Sequence, residues 1–388
     1  MTRGIVVTER TEELVCYGPD GAPQALAEAW EIAESIGGAT QSGRDAGNRT
    51  IALLMVWCGL AAANPAHAAE YIAAAKAVAP LVSESGPAWA IRLARALAAT
   101  DPDGAVRFAE SLRDDNTRFR AQATVAGMIA DGEPERAASL ARGIADPRQR
   151  VAALASVATR VARNDPGLSE RLAAEAEVVT QQEVPKNTRS AALCEIIEAV
   201  AATDPERAVH IAGRLPAVDL GEVRQAGLIL AVAWAGTDPD RAEFFARAQE
   251  QPVHKAVALA QVAAAMQPAD PARAAELADE AERLAATVCG RWGAGSVLTA
   301  LTYQRMAAAF AASDPPRALR YAHAVATTPE TALVRVDTLV DIATAGPAPR
   351  PRRSPRLPRQ RQAELSITAS GSVVPAMGTT LPLAGTRR

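Results

Sequence analysis

An Asp-Pro step recurs along this chain at Asp101, Asp165, Asp204, Asp238, Asp270 and Asp314, with Asn64-Pro65 and Glu133-Pro134 in equivalent places. From Asp101 onward the intervals are 32, 32, 39, 34, 32 and 44 residues, a unit of 32 to 34 residues with insertions. Asp is a good N-cap because its carboxylate accepts hydrogen bonds from first-turn amides. Pro suits the first helical position, where its missing N–H would have no acceptor. Each box therefore opens a helix, and a chain that opens one at this interval folds as a stack of like units.

Within each unit two further landmarks repeat. Seven residues after the box stands a large apolar side chain: Tyr71, Phe108, Leu140, Leu172, Ile211, Phe245, Leu277 or Tyr321. Alanine follows it in every unit except at Ile72, and a large residue beside a small one describes an interhelix contact. Fifteen residues before the box lies a basic residue, at Arg49, Arg118, Arg150, Arg189 and Lys255, with Arg224 one place late. From Arg150 the apolar positions are Ala153, Leu154, Val157, Ala158, Val161 and Ala162, one face of a helix of about four turns. Each unit is thus an outgoing helix A, a turn and a returning helix B.

The expected fold is all-α: an elongated right-handed α-solenoid of about nine helical hairpins over residues 22–345, the first an atypical capping unit. Composition agrees, since 49% hydrophobic with only 4% aromatic residues means alanine-rich helices and not strands. Residues 1–21 are an N-terminal extension with a short extended piece at Ile5 to Val7. Residues 346–388 carry eight arginines and one acid among prolines and small polar residues, and read as a disordered tail. Its abrupt onset within the last helix B also permits a truncated or frame-shifted longer array.

The stretch Arg49 to Glu70 has the outline of a secretory leader, with a basic residue, an apolar run and Ala66-His67-Ala68. Its spacing argues otherwise. Arg49 stands fifteen residues before Asn64-Pro65, and Ala52, Leu53, Val56, Trp57, Leu60 and Ala61 fall on the helix B face. The apolar run reads as a core helix too short to span a bilayer.

The paired helices, the alanine and aromatic packing positions and the Pro-bearing boundary resemble the tetratricopeptide repeat. Asp146 to Leu154, reading DPRQRVAAL, resembles the Asp, Arg and Ala turn of HEAT-type repeats. The tetratricopeptide W-x-x-L-G-x-x-Y opening is missing, so no subfamily follows. Both resemblances imply a protein or peptide partner held in a concave groove.

Signals for chemistry are few. Phosphate-loop, dinucleotide, nucleophile-elbow and H-E-x-x-H motifs are missing, and the four cysteines and four histidines are scattered, so no cofactor, metal or catalytic residue is expected. Unpaired thiols suit a reducing, cytoplasmic setting. The tail carries +7 of an overall −3, leaving the body at −10, which disfavours nucleic acid as a partner of the array. Nothing points to a membrane.

Three insertions, around residues 79–87, 180–188 and 288–296, are expected to lengthen turns; the last contains Gly290 to Gly295, a long turn and not a phosphate loop. One pattern stands out. Arg136, Arg207, Arg241, Arg273 and Arg317 each sit three residues after a cap, where a cation opposes the helix dipole. Either carboxylates such as Glu206 and Asp240 compensate them in an ion-pair ladder, or they present a row to an acidic partner. Trp57 falls in the core and Trp234 beside it, whereas Trp292 is the candidate exposed anchor. The function expected is a non-catalytic scaffold or partner-recognition module. A regulatory segment of a signalling protein and a helical-repeat enzyme are the alternatives.

Overall fold

The computed structural model describes residues 22–36, 43–64, 67–79, 87–201, 203–216, 219–328 and 330–345, with 365–367 and 373–375. The extension 1–21, the insertion at 80–86 and most of the tail lie outside the described residues. Within the tail, Leu365–Ile367 (β1) and Val373–Pro375 (β2) pair antiparallel with Ser366 opposite Val374.

The body is all helical. Among the described residues the A helices are α1 (Ala22–Ser35), α3 (Ala68–Val78), α5 (Pro102–Ser111), α7 (Pro134–Arg142), α9 (Pro166–Gln182), α11 (Pro205–Ala212), α13 (Pro239–Arg247), α15 (Pro271–Trp292) and α17 (Pro315–Ala324). The B helices are α2 (Gly43–Ala63), α4 (Ala88–Thr100), α6 (Asp115–Ile129), α8 (Pro147–Val161), α10 (Arg189–Ala201), α12 (Leu220–Trp234), α14 (Pro252–Met266), α16 (Val297–Phe310) and α18 (Ala332–Thr344).

The caps form as expected. Asp101, Asp165, Asp204, Asp238, Asp270 and Asp314 each accept the backbone N–H three residues on, at 2.8 to 3.1 Å. Two boxes differ. Glu133 makes no side-chain cap and pairs with Arg136 instead, its longer arm overreaching the first-turn amide. At Asn64 the helix begins only at Ala68, after the Asn64 carbonyl accepts the His67 N–H.

The basic landmark has a structural cause. Arg118 donates to the Leu112 carbonyl, Arg150 to Ile144, Arg189 to Val184 and Arg335 to Val325, so each arginine on a B helix satisfies a backbone carbonyl in or near the preceding turn. Two insertions do not lengthen turns. The one after Thr180 extends α9 to Gln182 and adds a 3₁₀ turn at Lys186–Thr188. The one before Ser296 extends α15 through Trp292, leaving only Gly293, at φ +83°, in a conformation that favours glycine.

Successive B helices pack side by side, and each A helix lies in the seam between two of them. Neighbours on the shorter, inner circumference crowd while those outside splay, so the B helices form the inner wall. Alanines with no exposed surface, such as Ala105, Ala109, Ala137, Ala141 and Ala246, let the two layers approach.

The array closes on itself, which an elongated solenoid would not do. α18 packs against both α1 and α2, the relation each B helix has to the next hairpin. At this seam Val340 and Leu26 crowd Gly59 so closely that a Cβ there would stand 2.9 Å from one and 3.0 Å from the other. Glu28 of α1 meanwhile receives hydrogen bonds from Arg335 and His323. Nine helices at the usual spacing of about 9 Å enclose an opening roughly 15 Å across. No helix among the described residues is long and apolar enough to cross a membrane.

Candidate functional site

The outer face holds the recurrent arginines, and each reaches back to the preceding hairpin. Arg136 pairs with Asp103, Arg207 with Glu177 at 2.6 Å, Arg241 with Glu206 at 2.7 Å, Arg273 with Asp240 at 2.6 Å and Arg317 with Asp279 at 3.2 Å. Arg241 also lies 4.1 Å over the Trp234 ring and Arg317 5.4 Å over Phe310. The row is therefore a ladder of interhairpin ion pairs with its charge already met. A hollow of about 770 Å³ between α13 and α15 belongs to it, since Arg247 and Arg273 on its rim share Glu243 and reach Glu280 and Asp240.

The inner wall differs in chemistry. On α10 the buried face is Ala192, Leu193, Ile196, Ile197, Val200 and Ala201, and the face turned from it carries Glu195 and Glu198. The corresponding places on α4 are Arg92 and Arg95, and α16 and α18 contribute Arg305 and Asp341. Arg92 reaches past α2 to Asp337 and Asp341 on α18, and Gln304 donates to Asp337 at 2.8 Å. Arg148 pairs with Glu195 at 3.1 Å, and Arg160 crosses to Asp131 at 2.9 Å, so part of the wall is knitted from within.

Arg95 and Glu198 are among the charges on the wall with no ion-pair partner among the described residues. Both reach solvent yet sit in a concave surface crowded by protein. Burial lowers the pKa of Arg95, aided by the neighbouring Arg92, while burial and Glu195 raise that of Glu198.

At the mouth where the B helices begin, the wall turns apolar. Leu298 is 54% exposed, Leu301 39% and Trp292, just before α16, 41%. Leu298, Leu301 and Arg305 stand at i, i+3 and i+7, one face of α16 away from its buried Thr299, Ala300, Thr302, Met306 and Ala307. His254 of α14 lies nearby, its pKa lowered by burial and by Arg224 and Arg305.

Trp292 is exposed as its place in the glycine-rich stretch implies, whereas no sequence motif marks Leu298, Leu301, Arg305 or His254. Their signal was present as the face of helix B opposite the apolar positions, but nothing in the pattern distinguishes a face lining a ring from one facing open solvent. The three described thiols are buried, and burial pushes Cys58 and Cys194 up to about 12 and raises Cys289 as well. Among the described residues no cluster of three His, Cys, Asp or Glu side chains could hold a metal ion. Compared with protein families, curated proteins and solved structures, the chain matches none.

Proposed function

We propose that this chain is a non-catalytic recognition module whose inner wall takes a segment of a protein or peptide partner. The exposed apolar stripe of Leu298 and Leu301 on the inner wall carries this reading. Large exposed leucines on a concave wall lose unfavourable hydration when a partner covers them. The opening of roughly 15 Å admits one helix, about 10 Å wide, or an extended strand. The resemblance to tetratricopeptide and HEAT-type arrays points the same way, and the net −10 of the body favours protein over nucleic acid.

The test is site-specific photo-crosslinking in cells. A photoreactive residue at Leu298 or Leu301 is expected to capture a discrete partner, and one at Phe244, equally exposed on the outer face, is not. Capture from Phe244 alone, or from none of the three, would overturn the assignment of the inner wall.

A further inference from the structure

We infer that the mouth of the ring selects an acidic amphipathic segment, one that carries carboxylates beside apolar side chains at helical spacing. The inference rests on the reading of the inner wall as the binding face and adds the chemistry of its partner. Leu298 and Leu301 offer the apolar half, one turn apart on α16 and both open to solvent. Arg305 continues the same stripe one turn further, and among the described residues no carboxylate lies within ion-pair distance of it.

The contrast with the outer ladder gives this weight. Each arginine of the outer ladder meets an acid of its own chain, and Arg92, Arg148 and Arg160 on the wall do so too. The charges that bear on His254 are Arg224 from α12 and Arg305 from α16, both cationic. The Nδ1 atom of His254 is buried with no hydrogen-bond partner. A surface that pairs two exposed leucines with a cationic flank is complementary to a segment with the opposite flank, and charge complementarity of this kind governs both selection and encounter rate. A basic or purely polar segment would bring like charge to Arg305 or leave the leucines uncovered.

The experiment uses the full chain and a short fluorescent helix-forming peptide with leucines at i, i+3 and i+7 flanked by glutamates. Fluorescence anisotropy is expected to report binding that weakens by about tenfold or more in Leu301→Ser and in Arg305→Glu. Both side chains are exposed, so neither substitution removes core packing. Arg241→Gln on the outer ladder should bind as the parent does. A peptide with lysines in place of glutamates should fail on the parent chain and gain affinity for Arg305→Glu. Equal binding by Arg305→Glu, equal binding of a glutamate peptide whose leucines are replaced by serine, or no binding at all would each overturn the inference. Crosslinking from Leu298 to a partner without an acidic amphipathic segment would overturn it while leaving the inner wall as the binding face.

Discussion

Asp238 and Arg241 form a small device used over and over. One Asp238 oxygen accepts the Arg241 N–H at 3.1 Å, and the Arg241 guanidinium then crosses to Glu206 and lies over Trp234. The cap starts a helix and the side chain it orders joins that helix to the one before. Asp238→Ala is expected to lower the unfolding free energy by about 1 kcal/mol in urea titrations. Combined with Asp101→Ala, four hairpins away, the losses should add to within about 0.5 kcal/mol. His254 supplies a pH signature. Because folding lowers its pKa, its contribution is complete above about pH 6.5 and is lost as pH falls through that value, where the unfolded chain takes up the proton more readily. Thermal melts of His254→Gln should therefore lose less stability than the parent between about pH 7 and about pH 5. Equal losses would show that the histidine is not linked to folding.

At the scale of elements, helix contacts are set by small residues whose loss of volume is deliberate. Gly59 on α2 faces Val340 and Leu26, and Gly127 on α6 faces the Ser156 hydroxyl of α8. Gly59→Val is expected to cost about 1 to 3 kcal/mol, because two branched side chains on separate helices must retreat. Gly127→Ala meets only a rotatable hydroxyl. Adding Ser156→Ala should recover most of its cost, and a double-mutant cycle checks the coupling. The same scale explains what was legible in advance. The α8 and α10 faces were readable because their apolar positions repeat at helical spacing, and every one is buried. The stretch before Ser296 reads as a turn because Gly290 sits in it, yet it is helical through Trp292. Leu284 and Cys289 continue the apolar face of α15 through that point, and one helical glycine costs only about 1 kcal/mol.

At the scale of the molecule, closure makes the first and last hairpins neighbours. Glu28 bridges them: burial raises its pKa, but hydrogen bonds from Arg335 and His323 outweigh this and leave it lowered. That contribution is present above the ordinary carboxylate range, near pH 4.5, and is lost as pH falls below it. Glu28→Gln should weaken the seam by about 1 to 2 kcal/mol, allowing for its partial exposure. Small-angle scattering of the parent should give a radius of gyration slightly above the roughly 20 Å of a compact body of this length. Glu28→Gln combined with Leu26→Asp should raise it as the ring opens. An unchanged radius would mean that the remaining apolar contacts of α1 and α18 hold the seam alone.

The sequence by itself determined where helices start, that they pair, how often the pair repeats and which face of each is apolar, since caps and periodicity are local and act within one or two turns. It also held the arginine ladder, because the interval between Arg241 and Glu206 nearly matches the repeat. Only the tertiary structure decided that the path closes. Closure depends on the turn and rise between successive hairpins, about 40° and almost no rise for nine units, and these sum over side-chain volumes at every interface. The proposed binding face follows from that sum. Leu298, Leu301 and Arg305 are ordinary exposed residues on an isolated helix and become the lining of a mouth only when α18 meets α2.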